Sequence, residues 1–213
     1  MKNKTKIIGI LNITDDSFSD GGKYLKISEA SKYIKKMISD NCHIIDIGAE
    51  SSKPGFIEVP IDKQISRILP IISEIKKISD DITISIDTRS SKVAESALKE
   101  GANIINDVSS GNNDKNMFDV VAKYNADIIL THMPDEHLTS DNIKCDDILE
   151  NVEDYFREQI NQAVKSGISQ NNIIIDPGIC FGKSGNDNIK LLSNMKYLVS
   201  VFDRVCIGVS NKR

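Results

Sequence analysis

The stretch Ile82-Thr83-Ile84-Ser85-Ile86-Asp87-Thr88-Arg89-Ser90-Ser91-Lys92-Val93-Ala94-Glu95-Ser96-Ala97-Leu98-Lys99-Glu100-Gly101-Ala102-Asn103-Ile104-Ile105-Asn106-Asp107-Val108 contains one full structural period of the chain. Ile82 to Ile86 is a short β-branched run, and Ile104 to Val108 repeats it. Between them Val93, Ala94, Ala97 and Leu98 recur at helical spacing, with Gly101 placed to end that helix in a left-handed cap. Near-continuous apolar runs suit strands buried on both faces of a parallel sheet. Outward from this unit the alternation continues. Strands are predicted at Ile7 to Ile13, Ile44 to Ile47, Ile128 to Thr131, Ile173 to Ile175 and Val205 to Val209. Helical stripes run through Ala30, Ile34, Met37 and Ile38, and through Ile61, Ile65, Ile68, Ile72 and Ile75. In the second of these, Pro70 removes a backbone donor and is expected to bend the helix. Further stripes are Met117, Val120, Val121 and Tyr124; Ile148, Val152, Tyr155, Ile160, Ala163 and Val164, closed by Gly167; and Ile189, Leu192 and Met195.

Seven strands alternating with six helices fit either a doubly wound open sheet or a TIM (β/α)8 barrel. No G-x-G-x-x-G turn follows the first strand, which weighs against a dinucleotide-binding sheet and favours the barrel. Barrels typically take about 250 residues. The 213 residues given stop right after the seventh strand, so the pattern reads as an α/β barrel truncated before its last helix, strand and helix.

Composition limits the classes of function. With 39% hydrophobic and 27% charged residues, 12 glycines and 5 prolines, the chain is an ordinary globular sequence with one expected core. The formal charge of −4 gives no basic excess for nucleic acid or anionic lipid. No apolar run approaches the roughly 20 residues of a membrane span, and the amino-terminal Met1-Lys2-Asn3-Lys4 lacks a signal-peptide segment. A cytoplasmic protein is expected. Cys42, Cys145, Cys180 and Cys206 form no C-x-x-C pair, and His43, His132 and His137 show no metal-ligand spacing. Neither a disulfide scaffold nor a protein-made transition-metal cage is predicted.

In a parallel barrel the reacting groups project from the carboxyl ends of the strands. Those ends are polar throughout: Asn12 and Thr14; Asp46 and Glu50; Asp87; Asn106 and Asp107; His132; Asp176; Ser210 and Lys212. Any one of them could instead cap the next helix. Together, carboxylates, an amide and an ammonium suit a polar heterocycle with N–H donors and ring acceptors. Two loops rich in glycine and hydroxyls, Asn12 to Gly22 and Gly48 to Gly55, read as lids over a charged substrate. Ser52 and Lys53 would contact anionic oxygens, and Asn12 would offer an oxygen to Mg²⁺, which is often held by few protein ligands plus substrate phosphates. The segment Gly178-Ile179-Cys180-Phe181-Gly182-Lys183 is basic and glycine-flanked but lacks the P-loop spacing.

Taken in order, Gly9 to Gly22, Asp46-Ile47-Gly48-Ala49-Glu50-Ser51-Ser52-Lys53-Pro54-Gly55, Ser85-Ile86-Asp87-Thr88, Ile105-Asn106-Asp107, His132-Met133 and Asp176 to Lys183 resemble the dihydropteroate synthase family over essentially the whole chain. The resemblance implies a pterin-binding domain over residues 1–213. It implies a transferase of folate biosynthesis that joins 4-aminobenzoate to 6-hydroxymethyl-7,8-dihydropterin diphosphate, releases pyrophosphate with Mg²⁺, and is inhibited by sulfonamides. Carried over by motif, the pterin positions fall on Asp87, Asn106, Asp176 and Lys212, and the magnesium position on Asn12. Asp87, Asp176 and Lys212 take the catalytic roles. Ser52, Lys53, Met133, Phe181 and Ser210 complete the substrate contacts, Phe181 and Lys212 bordering 4-aminobenzoate. A homodimer is also implied.

The sequence departs from the family pattern at Asp15, where proline is usual, at Ser52-Lys53 in place of Thr-Arg, at Cys180 in place of glycine, and at Ser210-Asn211-Lys212-Arg213 in place of Ser-Arg-Lys. Lysine lacks arginine's two-pronged grip on phosphate. The family's diphosphate-binding Arg and His belong to a strand beyond Arg213, so these residues are read mainly as the pterin-binding part of the barrel. Two alternatives share the pterin pattern: a methyltetrahydrofolate-binding methyltransferase barrel and a non-catalytic pterin-binding remnant. The paired loops after the first two strands favour a diphosphate leaving group over methyl transfer.

Overall fold

The computed structural model describes residues 5–13, 23–50, 58–133 and 147–209. Contacts divide the chain into two compact units, residues 1–106 and 107–213. The first contains β1 (Ile8–Asn12), α1 (Lys23–Ser39), β2 (Ile44–Gly48), α2 (Ile61–Ile78), β3 (Thr83–Asp87), α3 (Ser91–Glu100) and β4 (Ile104–Asp107), whose last residue opens the second unit. The second continues with α4 (Met117–Lys123), β5 (Asp127–Thr131), α5 (Ile148–Lys165), β6 (Ile173–Asp176), α6 (Gly185–Ser193) and α7 (Met195–Phe202).

In the first unit β1, β2, β3 and β4 pair in chain order and all in parallel. Their isoleucines build the core: Ile45, Ile47, Ile86 and Ile105 are fully buried, as are Ile68, Ile72 and Ile75 along one stripe of α2. Each such side chain stabilises the fold by roughly 1.5–3 kcal/mol, more than a surface ion pair. α2 runs without a break from Ile61 to Ile78 with Pro70 inside it, held by that buried stripe.

The end of α3 is fixed as its sequence suggests. Gly101 adopts φ 100° and its N–H donates to the carbonyls of Ala97 and Leu98. Lys76, from α2, donates to the carbonyl of Glu100, placing a cation at the negative end of the helix, while Ser73 Oγ donates to Glu100 Oε1 at 2.8 Å. A Cβ at position 101 would collide with the Lys76 ammonium.

In the second unit β5 and β6 pair in parallel over Ile128–Thr131 and Ile173–Asp176. The run Val205 to Val209 does not form the predicted seventh strand. Only Val205 bridges to Ile175, through Ile175 N–H to Arg204 O at 3.1 Å and Cys206 N–H to Ile175 O at 2.8 Å. The next donor that a parallel ladder would draw from the β6 side is residue 177, a proline with no N–H, and the pairing stops there. The last helical stripe also differs. Asn194, at φ −109° and ψ 17°, separates α6 from α7, so a period counted across it loses phase. Leu191 and Leu198 are buried, whereas Ile189 and Leu192 are exposed. At the opposite end of these strands Arg204 donates to Asn171 O at 2.6 Å and pairs with Asp127 at 2.6 Å.

Gly101→Ala is expected to cost about 1–2 kcal/mol, the penalty for a side chain in the left-handed region, and to displace Lys76 as well. Urea unfolding of the two proteins checks this, with the slope unchanged and the midpoint lowered.

Candidate functional site

The parallel register of the first unit sets four strand-end residues side by side: Asn12 against Gly48, Gly48 against Asp87, and Asp87 against Asn106. Three of the four are predicted site residues. Gly48 lets its neighbours approach, since a Cβ there would lie 2.8 Å from Asn12 Oδ1 and 3.6 Å from Asp87 Oδ2. Asn12 is exposed, and Asp87 and Asn106 are half-buried. The row therefore brings together two amides, each with an acceptor and two donors, and a carboxylate acceptor, a set able to hydrogen-bond a ligand with both donors and acceptors.

One turn of the pleat earlier, the same face of β2 and β3 carries Asp46 and Ser85, both buried. Asp46 Oδ2 accepts from Asn106 Nδ2 at 3.0 Å, while Asp46 Oδ1 and Ser85 Oγ have no hydrogen-bond partner of normal geometry. Burial pushes the Asp46 carboxyl's pKa up, and the nearby Ser85 hydroxyl and Asn106 amide pull it partly back. Motif matching places Asp46 at a strand end but gives it no role. The signal that could have found it is its position two residues before Gly48, on the same face of the strand.

The described residues on either side of 51–57 are held by polar contacts. Arg67 donates to Ala49 O at 3.0 Å, and Glu50 lies 3.7 Å from Arg89 and accepts from Val59 N–H at 3.4 Å. Thr14, Ser52 and Lys53, together with Asp15, His137, Cys145, Ser210 and Lys212, lie outside the described residues.

In the second unit Asp176 closes β6 and its Oδ1 accepts from Gly178 N–H at 2.8 Å. Phe181, in the same loop, is half-buried, and its N–H donates to Gly178 O at 3.0 Å. Lys183 does not stand ready for an anion: its ammonium donates to the carbonyls of His132 at 2.8 Å, Gly178 at 2.9 Å and Phe181 at 3.1 Å. It ties the end of β5 to the loop after β6. Gly178, at φ 67°, sits so close to the His132 carbonyl that a Cβ would strike it. Cys180 takes a left-handed φ of 67° as well, with its side chain exposed and its N–H donating to Asn188 Oδ1 at 2.8 Å. A turn that favours glycine thus carries a side chain that points into solvent.

Two other strand-end residues prove structural. Asp107 is fully buried and accepts from Ser109 N–H at 2.9 Å, Ser109 Oγ at 2.6 Å and Gly111 N–H at 2.8 Å, which organises the turn after β4. His132 is buried, with Nε2 2.9 Å from Asn151 Oδ1 and the ring edge-on to Tyr155 at 4.9 Å. Beside it, Met133 is half-buried. Burial and the Lys183 charge push the His132 pKa down to about 4, against a smaller upward pull from Asn151.

Among the described residues no group of three or more His, Cys, Asp or Glu could hold a metal ion by itself. The fit for magnesium is of another kind. A single exposed amide oxygen, kept open by the missing Cβ of Gly48, suits a hard cation that takes most of its ligands from water and substrate phosphate.

Residues 8–213 match the family of pterin binding enzymes. The chain is 42% identical over 209 residues to a dihydropteroate synthase of Clostridium beijerinckii, covering 98% of this chain and 75% of that protein. It is 40% identical over 212 residues to the Bacillus subtilis dihydropteroate synthase, covering all of this chain and 72% of that protein. Among solved structures, dihydropteroate synthase from Clostridium difficile in the presence of pteroic acid aligns with TM-score 0.89 at 39% identity, over 98% of this chain and 77% of that one. The Xanthomonas albilineans dihydropteroate synthase with 4-aminobenzoic acid aligns with TM-score 0.89 at 32% identity, over 99% of this chain and 75% of that one. The chain belongs to the pterin-binding enzyme family. Within that family its relatives are the dihydropteroate synthases, whose α/β barrel class it shares and about three quarters of whose length it spans.

The histidine supplies a test of the site's packing. His132 binds its proton more weakly folded than unfolded, so its contribution to stability is complete above about pH 6.5 and is lost as the pH falls toward 4. In urea titrations across that window His132→Phe is expected to show a slope shallower than wild type, by up to about 1.4 kcal/mol per pH unit.

Proposed function

We propose that the chain carries out the dihydropteroate synthase reaction, with Asp87, Asn106, Asp176 and Lys212 contributing to pterin recognition and Asn12 holding magnesium. The observation that carries this reading is the level row of Asn12, Gly48, Asp87 and Asn106, three of whose members are positions that the resemblance assigns to pterin and magnesium. In the reaction the C–O bond between the pterin's methylene carbon and diphosphate loosens first, and its electron pair leaves with pyrophosphate. The 4-aminobenzoate nitrogen then forms the new C–N bond and gives up a proton to solvent.

For the chain's own residues this is mostly a task of positioning and electrostatics. Asp176 accepts from the pterin's amino group and N3–H, and Asp87 and Asn106 complete the recognition of the ring. Lys212 meets the ring oxygen and N5. Ser52 and Lys53 contact anionic oxygens, Ser210 and Met133 complete the substrate contacts, and Phe181 borders 4-aminobenzoate with Lys212. Magnesium at Asn12 would neutralise the charge that develops on the leaving diphosphate. No helix among the described residues is long and apolar enough to cross a membrane. A cytoplasmic homodimer that binds neither nucleic acid nor lipid, and is open to sulfonamides at the aminobenzoate position, completes the reading, with residues 1–213 acting as one pterin-binding domain.

Pyrophosphate release from the dihydropterin diphosphate and 4-aminobenzoate, with calorimetric titration of the diphosphate in Mg²⁺, tests the proposal. Asp176→Ala is expected to weaken binding about 10- to 100-fold through the loss of a charged acceptor, and Asn12→Ala to raise the magnesium needed for half-maximal rate. A folded wild-type chain that binds no pterin diphosphate would refute it.

A further inference from the structure

Resting on the reading above, we infer that Asp46 is a positioning residue: it ties back the amide nitrogen of Asn106 so that the amide oxygen is the atom offered to the pterin. Asp46 and Asn106 are 60 residues apart and come together because β3, which separates their strands, holds both in register. Asp46 is 94% buried, from its 6% exposure, and has no ion-pair partner among the described residues. Its Oδ2 accepts from Asn106 Nδ2 at 3.0 Å, and the backbone carbonyl of Asn106 accepts from Thr88 N–H at 3.1 Å.

A primary amide can present either end to a ligand, and rotation by half a turn exchanges donor for acceptor. A carboxyl oxygen behind the amide breaks that symmetry by accepting from the nitrogen. The first unit then offers the Asn106 oxygen as an acceptor, complementary to an amino or N–H group and mismatched to a ring nitrogen with a lone pair. A ligand that leaves a polar group unpaired in such a setting is rejected more strongly than one that only fits poorly.

Asp46→Asn retains a carbonyl oxygen for the Asn106 nitrogen, whereas Asp46→Leu retains the size and removes the acceptor. Titration with the pterin diphosphate in Mg²⁺ is expected to give wild type and Asp46→Asn affinities within about threefold, and Asp46→Leu about tenfold weaker, the worth of one oriented hydrogen bond. In turnover, the Leu variant's KM for the pterin substrate rises while that for 4-aminobenzoate stays unchanged, a split that general loosening would not produce. Equal affinity of the Leu variant and wild type, or equal loss in Asn and Leu, overturns the inference. Should the Leu variant not fold, side-chain amide exchange of Asn106 in the wild-type chain decides. Protected protons support the tie to Asp46, and exchange at the rate of an open amide overturns it. A wild type that binds no pterin diphosphate marks failure of the underlying functional reading, and the exchange measurement still tests the tie.

Discussion

The parallel register of β1 to β4 is the constraint on which the first unit's chemistry depends. Because the strands run the same way and end level, a one-residue slip at any of the three pairings would turn Asn12, Asp87 or Asn106 to the opposite face. The isoleucine core holds that register. Buried Ile45, Ile47, Ile86 and Ile105 alternate with the polar row, and their packing makes the slip far costlier than the loss of any hydrogen bond at the strand ends. Gly48 belongs to the same arrangement, since the row closes up only where no side chain intervenes.

The second unit solves a different problem, that of bringing loops against strand ends without leaving carbonyls bare. Lys183 gathers three of them from two segments, and Asp107 gathers three donors within one turn. Both are charged groups whose capacity is filled by backbone or neighbouring hydroxyls. His132 stays neutral beside the Lys183 cation because it sits where the charged form would be poorly solvated.

Much of this was legible in the residues. Runs such as Ile44 to Ile47 and Ile173 to Ile175 admit few readings besides buried strands, and Gly101 marks a helix end because its left-handed cap excludes most other side chains. What escaped depends on partners distant in the chain. Val205 to Val209 has the composition of a strand, but its pairing is limited by Pro177 on the neighbouring segment. Ile189, Leu192 and Met195 share a helical period that Asn194 interrupts. The part Lys183 plays, tying two segments together, can be seen only once the carbonyl of His132 is placed beside it. Likewise, the link between Asp46 and Asn106 can be seen only once β3 has set the register between them.

Arg204 bears on the order in which the second unit is assembled. Its guanidinium joins Asp127 at the start of β5 to the carbonyl of Asn171 just before β6, and the partners Arg204 and Asp127 are 77 residues apart. Closing a loop of that length costs entropy before any contact compensates, and contacts of wide sequence separation slow the search for the native state. On a chain emerging from the ribosome, β1 to β4 can pair while Arg204 is still unsynthesised. The β5–β6 pair acquires its crosslink only once synthesis has passed Arg204, long after Asp127 and Asn171 have been made.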